Sequence, residues 1–451
     1  MKSRIGLTLG VLLLVSAGRA GATPVELNIY GSSSQASYWA AQAVDFARYQ
    51  FGCWVYEVLE HHSAKHYLIS AHDCASTLVP DCTWVPYLGW DCDGSRDLDI
   101  RVSGIASAEG PLSVDKEVPL DEALSAGCNI ANGERLMYAS GTTTVCKQVH
   151  IGTSDVAGES FTQLSTGERF GPMGGGSFSA TLTGVDTSNL IPFNTMVVPF
   201  GFFVNQAVTA KSCTAGLTGN YCTDNAQCET APGAANGVCG GAAPITNITR
   251  EEVSLIFSGN VADWSDLGAY YTAQPAIACL RHAGSGTHSA FDLTVMNSAW
   301  GANTITEEIP GQIYFNQGSS DEIRCVNGNS TATPKGSLIG AIGYANADQA
   351  IGVSGKSQNV RQLKYNGVYP TRAAIRNGQY DFYTNAWFYT NPENDPSVNA
   401  IAEALHTFAE QPENVPASKA NYWATISEMK YNRGADYIYP AFTGARIPLL
   451  P

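Results

Sequence analysis

The segment Arg-His-Ala-Gly-Ser-Gly-Thr at residues 281–287 combines groups that bind small anions. Arg281 supplies a planar cation whose donors suit a tetrahedral oxyanion. Ser285 and Thr287 add hydroxyl donors, and Gly286 lets the backbone approach a ligand closely. The segment lacks the pattern of a nucleotide-binding P-loop, so it predicts a site for a small anion. The alternative is an ordinary tight turn with a surface arginine.

The residues on either side predict that this segment joins a strand to a helix. Residues 275–280 form an apolar run of strand length, and residues 288–296 place apolar side chains at helical spacing. The first turn of a helix presents backbone N–H groups without intrahelical partners, at the positive end of the helix dipole. The predicted turn therefore adds backbone donors to those of the side chains.

A serine-rich turn near the start of the chain has the same arrangement. Residues 25–30 alternate as a strand, Gly31 is followed by three serines, and residues 38–47 have helical spacing. Ser33 and Ser34 are therefore candidate anion ligands. The alternative is that these serines only cap the helix that follows.

Two more predicted strands end in small polar turns. Residues 98–103 lead to a turn that contains Ser107, and residues 149–154 lead to Asp155, the one obvious acid among these turns. An ionised carboxylate only accepts hydrogen bonds. It would repel an anion that has no proton, but it can accept a hydrogen bond from hydrogen phosphate. The alternative for Asp155 is a helix or turn cap.

The first 22 residues have the pattern of a cleaved secretory signal peptide. A basic start precedes an apolar run, and Ala20 and Ala22 form an Ala-x-Ala end. No cysteine closely follows the apolar run, and no later stretch is apolar for long enough to span a bilayer. We therefore expect an exported protein, periplasmic or extracellular, without a direct membrane anchor.

The chain is strongly acidic. Its formal net charge is −15, and because the predicted signal peptide carries three basic residues and no acid, the mature value is −18. Such a surface argues against nucleic acid and anionic membranes as partners. It does not exclude one small anion, because donors inside a cleft outweigh distant, salt-screened charges. More than 400 mature residues also predict two lobes or domains.

Twelve cysteines in an exported chain favour disulfides over a zinc site, since no Cys-x-x-Cys pair is present. The pairing does not follow from the sequence. We expect local bridges within residues 53–92, between Cys128 and Cys146, two within residues 213–239, and between Cys279 and Cys325.

His62 and His66 are four residues apart but lack acidic or cysteine partners, so we expect surface histidines rather than metal ligands.

The order of these motifs resembles the periplasmic phosphate-binding proteins of ABC transporters, the PstS-like family. The similarity extends over most of the mature chain and is most specific in two motifs, RHAGSGT and the helix ITREEVSLIFSGNVADW. Five weaker motifs accompany them: YGSSS, GIASAEG, IGTSD, GAIGY and NGVYPT with IRNGQYDF.

The resemblance implies an α/β protein with the two-lobed type II periplasmic-binding-protein fold, a ligand cleft between the lobes and disulfide-stapled insertions. The expected segments are a signal peptide at 1–22, lobe I at 23–196, lobe II at 197–344 and a return to lobe I at 345–451. The implied ligand is inorganic phosphate, and the implied partner is an ABC-transporter permease, with no enzymatic activity, cofactor or metal. The implied phosphate ligands are Ser33, Ser34, Ser107, Asp155, Arg281, Ser285, Gly286 and Thr287.

The chain departs from the family pattern in two places. Ala283 stands where some members carry an aspartate beside the arginine, which leaves the residue that orients Arg281 open. The excursion between Ser107 and Asp155 is long and contains a Ser-Gly-Thr-Thr turn at 140–143, a rival for the role of Ser107.

Three other functions remain open from the sequence. The first is a receptor for another oxyanion, such as sulfate or molybdate, against which Asp155 argues. The second is an extracellular scavenging or adhesive protein that uses the same fold without a transporter. The third is a secreted phosphatase with a serine nucleophile, although no general base or metal-ligand cluster accompanies the serines in the sequence.

Overall fold

The computed structural model describes residues 24–53, 55–61, 66–74, 83–85, 89–91, 96–120, 122–161, 184–282, 284–297, 304, 312–316, 318–328 and 339–443. The predicted signal peptide, Cys82, Cys92 and Ala283 lie outside these residues. None of the helices in this part of the chain is both long and apolar enough to cross a membrane.

Strands and helices alternate along the chain. The helices are α1 (Ala36–Gln50), α2 (Glu109–Val114), α3 (Arg250–Phe257), α4 (Gly286–Thr294), α5 (Ser319–Asn327), α6 (Arg372–Arg376) and α7 (Pro396–Ala409). The strands are β1 (Val25–Gly31), β2 (Val55–His61), β3 (His66–Cys74), β4 (Thr83–Val85), β5 (Gly89–Asp91), β6 (Arg96–Gly104), β7 (Glu134–Ser140), β8 (Thr143–Gln148), β9 (Ile151–Ser154), β10 (Ile191–Asn205), β11 (Thr209–Ala215), β12 (Val238–Pro244), β13 (Asn247–Ile248), β14 (Ile277–Arg281), β15 (Ile313–Asn316), β16 (Ala341–Asn346), β17 (Val360–Gln362), β18 (Lys364–Tyr365), β19 (Tyr383–Thr390), β20 (Ala424–Thr425), β21 (Tyr431–Asn432) and β22 (Ala441–Phe442).

The first half of the main sheet is built around β1. Strands β6 and β9 flank β1 and run parallel to it, and β19 runs antiparallel on the far side of β9. Gly31 at the end of β1 pairs with Gly104 on one side and with Thr153 on the other. The carboxyl ends of the three parallel strands therefore lie side by side, so that the turns after them share one edge.

The second half repeats this arrangement around β14. Strands β15 and β16 flank β14 and run parallel to it, and β10 runs antiparallel on the far side of β16. Arg281 at the end of β14 pairs with Asn316 at the end of β15. Each half thus has its first strand in the centre, as ligand-binding α/β sheets commonly do.

Strand β10 connects the two halves. Its first part pairs with β19 from Ile191 to Pro199, and its second part pairs with β16 from Phe200 to Val204. Residues 195–205 of this strand are buried, in keeping with their continuous apolar sequence. The two halves therefore share one twelve-stranded sheet and a common apolar core around the strand that crosses between them.

Disulfides close each of the three hairpin insertions. Cys53–Cys74 closes the β2–β3 hairpin, Cys128–Cys146 closes the segment of β7 and β8, and the β11–β12 segment holds two bridges, Cys213–Cys228 and Cys222–Cys239. The expected local pairing is confirmed for all described cysteines, and the sulfur atoms grouped at Cys213, Cys222 and Cys228 belong to disulfides, not to a zinc site.

The three insertions enter the sheet at its other end. The β2–β3 hairpin precedes β6, the β7–β8 hairpin precedes β9, and the β11–β12 segment follows β10. The end of β10 lies beside the start of β16, where Val204 pairs with Ile342. All three insertions therefore begin at the amino ends of the parallel strands. The β2–β3 hairpin then runs along β6 as part of the main sheet and reaches the carboxyl end of that strand, where His66 pairs with Ser103.

One local prediction is wrong. His66 lies in β3, is only 8% exposed, and its Nδ1 is 2.7 Å from the Ser103 hydroxyl, so it is not a surface histidine. The neighbouring strand β6 covers it. His62 lies outside the described residues.

Candidate anion-binding site

Asp155, directly after β9, is the centre of the candidate site. It is 1% exposed. Its Oδ1 accepts hydrogen bonds from the hydroxyls of Ser32 and Ser34, both at 2.5 Å, and from Gln35 Nε2 at 3.0 Å. Its Oδ2 lies 2.6 Å from the Ser34 hydroxyl and 3.5 Å from that of Thr287. The carboxylate therefore acts as an acceptor for several donors and not as a helix cap.

The serine turn after β1 is shaped by Gly31. Its φ of 130° lies in the region that favours glycine, and a Cβ there would lie 2.2 Å from the Thr153 carbonyl oxygen. The turn is fixed by Ser32, whose N–H donates to that carbonyl at 2.9 Å. The N-cap of α1 is Gln35, without a side-chain capping bond of its own, and the Ser32 hydroxyl accepts from the Gln35 N–H at 3.4 Å. Ser33 is buried in the same turn.

Ser107 lies beside Asp155. Its hydroxyl accepts a hydrogen bond from the Asp155 backbone N–H at 3.3 Å, and it is 2% exposed. The rival turn at 140–143 forms the exposed end of the β7–β8 hairpin. Of the two candidates, only Ser107 lies at the site.

The glycine-rich turn after β14 leads into α4 as predicted. Gly284 has a φ of 78°, and the Ser285 hydroxyl caps the helix by accepting from the His288 N–H at 3.4 Å. Gly286 is the first residue of α4, and Thr287 is the second. Ser285, Gly286 and Thr287 are all buried, with Thr287 directed at Asp155.

The turns of the two halves touch. The Ala108 N–H donates to the Gly284 carbonyl at 3.1 Å. A Cβ placed on Gly286 would lie 2.2 Å from the Ser107 hydroxyl oxygen and 2.7 Å from the Asp155 Cβ. Only a residue without a side chain fits at this contact, so Gly286 is required for the two halves to meet as they do here.

Arg281 is held from the neighbouring strand and helix of the second half. The guanidinium is 1% exposed, with Nη1 donating to the Ser319 hydroxyl at 3.0 Å and Nε to the Asn316 carbonyl at 3.3 Å. Burial lowers the pKa of Arg281, and the carboxyl of Glu322 opposes that shift. Ser319 lies three residues after the end of β15, just as Ser107 lies three residues after the end of β6.

The charged and polar groups around Asp155 and Arg281 favour a bound anion. The amino-terminal ends of α1 and α4 carry the turns around Asp155, and that of α5 carries Ser319 against the arginine. Helix starts carry partial positive charge and unpaired N–H donors. Together with Arg281 and the hydroxyls, they form a donor-rich site that contains one carboxylate acceptor. Such a site suits a small oxyanion that carries at least one proton.

The sequence interpretation missed three neighbours of these residues. Ser32 and Gln35 donate to Asp155, and Ser319 accepts from Arg281. The sequence does contain a signal for Ser319, because the Gly-Ser pair at 318–319 follows a strand and starts a helix. Nothing in the sequence distinguishes Ser32 from the serines beside it.

A match to a protein-family model supports the fold. The PBP superfamily domain matches residues 187–410. The solved structures that resemble the chain include a phosphate-binding protein from Stenotrophomonas maltophilia, with 12% identity, 90% of this chain and 91% of that one covered, and a TM-score of 0.45. They also include an ABC-type phosphate transport receptor from Vibrio cholerae, with 14% identity, 84% and 93% covered, and a TM-score of 0.39. No curated protein sequence matches the chain.

The expected fold class is confirmed: the chain has a mixed α/β fold with disulfides, and residues 187–410 match the PBP superfamily domain. At such low identities and TM-scores, the chemistry of the site has to be judged from its own residues.

Proposed function

We propose that this chain, which carries a PBP superfamily domain over residues 187–410, captures inorganic phosphate between its two halves. One observation carries the proposal. The turns after β1, β6, β9 and β14 bring hydroxyls and helix starts to the buried Asp155, and Arg281, the last residue of β14, interacts electrostatically with that carboxylate. In this proposal the phosphate ligands are Ser33, Ser34, Ser107, Asp155, Arg281, Ser285, Gly286 and Thr287.

Asp155 makes phosphate the favoured oxyanion. Phosphate near neutral pH carries at least one proton, whereas sulfate carries none. A carboxylate, which only accepts hydrogen bonds, pairs with the proton of phosphate. With sulfate the same carboxylate faces a negative oxygen that has no proton. Two negative groups buried against each other repel, so sulfate should bind more weakly than phosphate.

We also propose that the protein is a receptor and not a phosphatase. The Ser34 hydroxyl donates to Asp155, and the Ser285 hydroxyl accepts from a backbone N–H. In the described part of the chain neither serine has a histidine as general base, which a serine nucleophile ordinarily requires. Failure to release product from a chromogenic phosphate ester is the expected result.

The wider role that we propose is delivery of phosphate to an ABC-transporter permease after export through the predicted signal peptide. Lobe I at 23–196, lobe II at 197–344 and the return at 345–451 would close about the crossing strands near 197–204 and 339–344. A scavenging or adhesive protein would share the site but lack the transporter. Loss of phosphate uptake by cells that lack this chain would separate these roles.

Calorimetry of the purified mature protein with phosphate, arsenate and sulfate tests the proposed ligand. Phosphate and arsenate share the protonated tetrahedral form, so both should bind, while sulfate should bind far more weakly. Equal affinity for sulfate and phosphate, or no heat with either, would contradict the proposal.

A further inference from the structure

Glu322 is a buried carboxyl group behind the candidate site. It lies in the first turn of α5 and is 0% exposed. Its Oε1 accepts the Tyr344 N–H at 2.9 Å, and its Oε2 has no hydrogen-bond partner among the described residues. A carboxyl oxygen in this position is costly while the group is ionised, unless a nearby positive charge compensates it.

Arg281 is the cation that faces Glu322. Ser319, one turn before Glu322 in the same helix, accepts from Arg281 Nη1 at 3.0 Å, and the Tyr344 hydroxyl lies 3.4 Å from the Arg281 backbone nitrogen. Burial raises the pKa of Glu322 well above its ordinary value, and Arg281 acts against that shift. The two groups therefore share one buried region below the glycine-rich turn.

Few other titratable groups face Glu322. From the elements packed against α5, β14 contributes Arg281, β16 contributes Tyr344 and β15 contributes Tyr314, while β10 has no titratable residue. Arg361 of β17 donates to the Pro244 carbonyl. On α5 itself Asp321 is the nearest acid, and its side chain is 29% exposed. From α4, the His288 ring contacts the Tyr344 hydroxyl at 2.6 Å.

We propose that Glu322 is the buried counter-charge that positions Arg281, and that it takes up a proton from solvent when an anion binds at Arg281. The inference rests on the proposed phosphate function and adds to it a linked protonation. It also names a residue that could orient Arg281, a role that the sequence leaves open because residue 283 is an alanine. That residue is a glutamate of α5.

The coupling follows from the charges. With Arg281 facing Glu322, the cation stabilises the carboxylate. A bound anion offsets the field of Arg281, and the buried carboxylate then loses its compensation. Protonation removes that cost, and the proton goes to the oxygen that has no donor, Oε2. The protein therefore gains a proton at Glu322 for each anion bound, over the pH range in which that carboxyl is otherwise ionised.

Phosphate calorimetry in buffers of different ionisation enthalpy measures this proton. The wild type should take up more protons per phosphate than Glu322→Gln, and Asp321→Asn, a change of a partly exposed acid in the same turn, should match the wild type. Because the protonation of phosphate itself is common to all three proteins, the difference belongs to Glu322. Equal uptake by the wild type and a phosphate-binding Glu322→Gln protein would overturn the inference and leave the phosphate function intact.

A second measurement needs no variant. The infrared difference spectrum of the wild type, with and without phosphate, should gain a protonated-carboxyl band that shifts when the glutamates carry an isotope-labelled carboxyl. A spectrum without that band overturns the inference even if Glu322→Gln does not fold. Absence of phosphate binding by the wild type would overturn the proposed function and this inference together.

Discussion

The Ser107 hydroxyl oxygen lies 2.2 Å from the position that a Cβ on Gly286 would occupy. A real Cβ cannot lie that close to an oxygen, so Gly286→Ala should keep the two turns apart. We expect at least about a tenfold loss of phosphate affinity, comparable to the loss of one hydrogen bond to a charged group. The melting temperature should fall little, because alanine suits the first turn of a helix.

Gly241→Ala is the matched control, since a Cβ at Gly241 meets no atom within 4 Å. It should bind phosphate as the wild type does. Wild-type affinity in Gly286→Ala would show that binding does not require this contact.

Asp155→Asn should weaken discrimination against sulfate. Asparagine has nearly the same size but replaces one acceptor oxygen with a donor. The ratio of sulfate to phosphate affinity should rise by at least about tenfold, mainly through stronger sulfate binding. Competition of sulfate against labelled phosphate at fixed salt measures the ratio, with the exposed Glu413→Gln as control. An unchanged ratio would mean that Asp155 does not determine selectivity.

Arg281→Ala should weaken phosphate binding by at least about tenfold, because a charge-assisted hydrogen bond contributes roughly 1.5–3 kcal/mol. Arg324→Ala, which removes a cation that pairs with Asp321 at 3.6 Å on the same helix as Ser319, should bind normally. A normal circular dichroism spectrum with an unchanged dissociation constant in Arg281→Ala would contradict the assignment.

His288 should make the protein less stable in mild acid. Burial, and then the nearby Arg281, lower the pKa of His288 from 6.5 to about 4. The folded state keeps the ring neutral while the unfolded chain protonates it. The stabilisation is therefore present above pH 6.5 and is lost as the pH falls towards 4, by up to about 3 kcal/mol.

Denaturant unfolding of His288→Gln at several pH values tests this expectation. The decline between pH 6.5 and 4 should be shallower than in the wild type, and His72→Gln, at a side chain that is 48% exposed, should leave it unchanged. If the free energy of unfolding falls with pH equally in the wild type and in His288→Gln, His288 is not the cause of the lower stability in acid.

The Cys279–Cys325 bridge should matter more to binding than the bridges of the insertions. It joins β14 to α5 across 46 residues and so links the strand of Arg281 to the helix of Ser319. Closing a loop of this length is worth about 4 kcal/mol in the chain-entropy description. Replacing both cysteines by alanine should lower the melting temperature by several degrees and weaken phosphate binding.

Replacing Cys222 and Cys239, which close only the β11–β12 segment, should leave affinity unchanged. Equal effects of the two double replacements on affinity would show that the β14–α5 link does not support the site.

Local sequence signals predicted the strand–turn–helix units well. Thr249 and Glu252, spaced as in a capping-box sequence, form that box at the start of α3, and Gly259 has a φ of 77° just past its end. The helix after the glycine-rich turn begins at Gly286, two residues earlier than its apolar pattern indicated. Such features depend on residues within one turn of each other, which a sequence displays directly.

Contacts between distant residues were harder to foresee. The pairing of Arg281 with Ser319, and the burial of His66 against Ser103, depend on which strands lie side by side. The four-residue spacing of His62 and His66 would suit one face of a helix, whereas His66 lies in a strand of an added hairpin that packs it against β6. Which hydroxyl reaches Asp155 also depends on the path of a turn, and the sequence does not specify that path.

Two of the disulfide-closed insertions, β7–β8 and β11–β12, lie outside the main sheet and enter at the end opposite the turns around Asp155. That arrangement separates two kinds of change in the evolution of such a chain. Modules can be acquired, exchanged or lost at one rim while recognition at the other rim stays under its own selection. The same rim is where a fluorescent reporter or an affinity tag could replace the β11–β12 module, which would turn the protein into a sensor without altering the groups that contact its ligand.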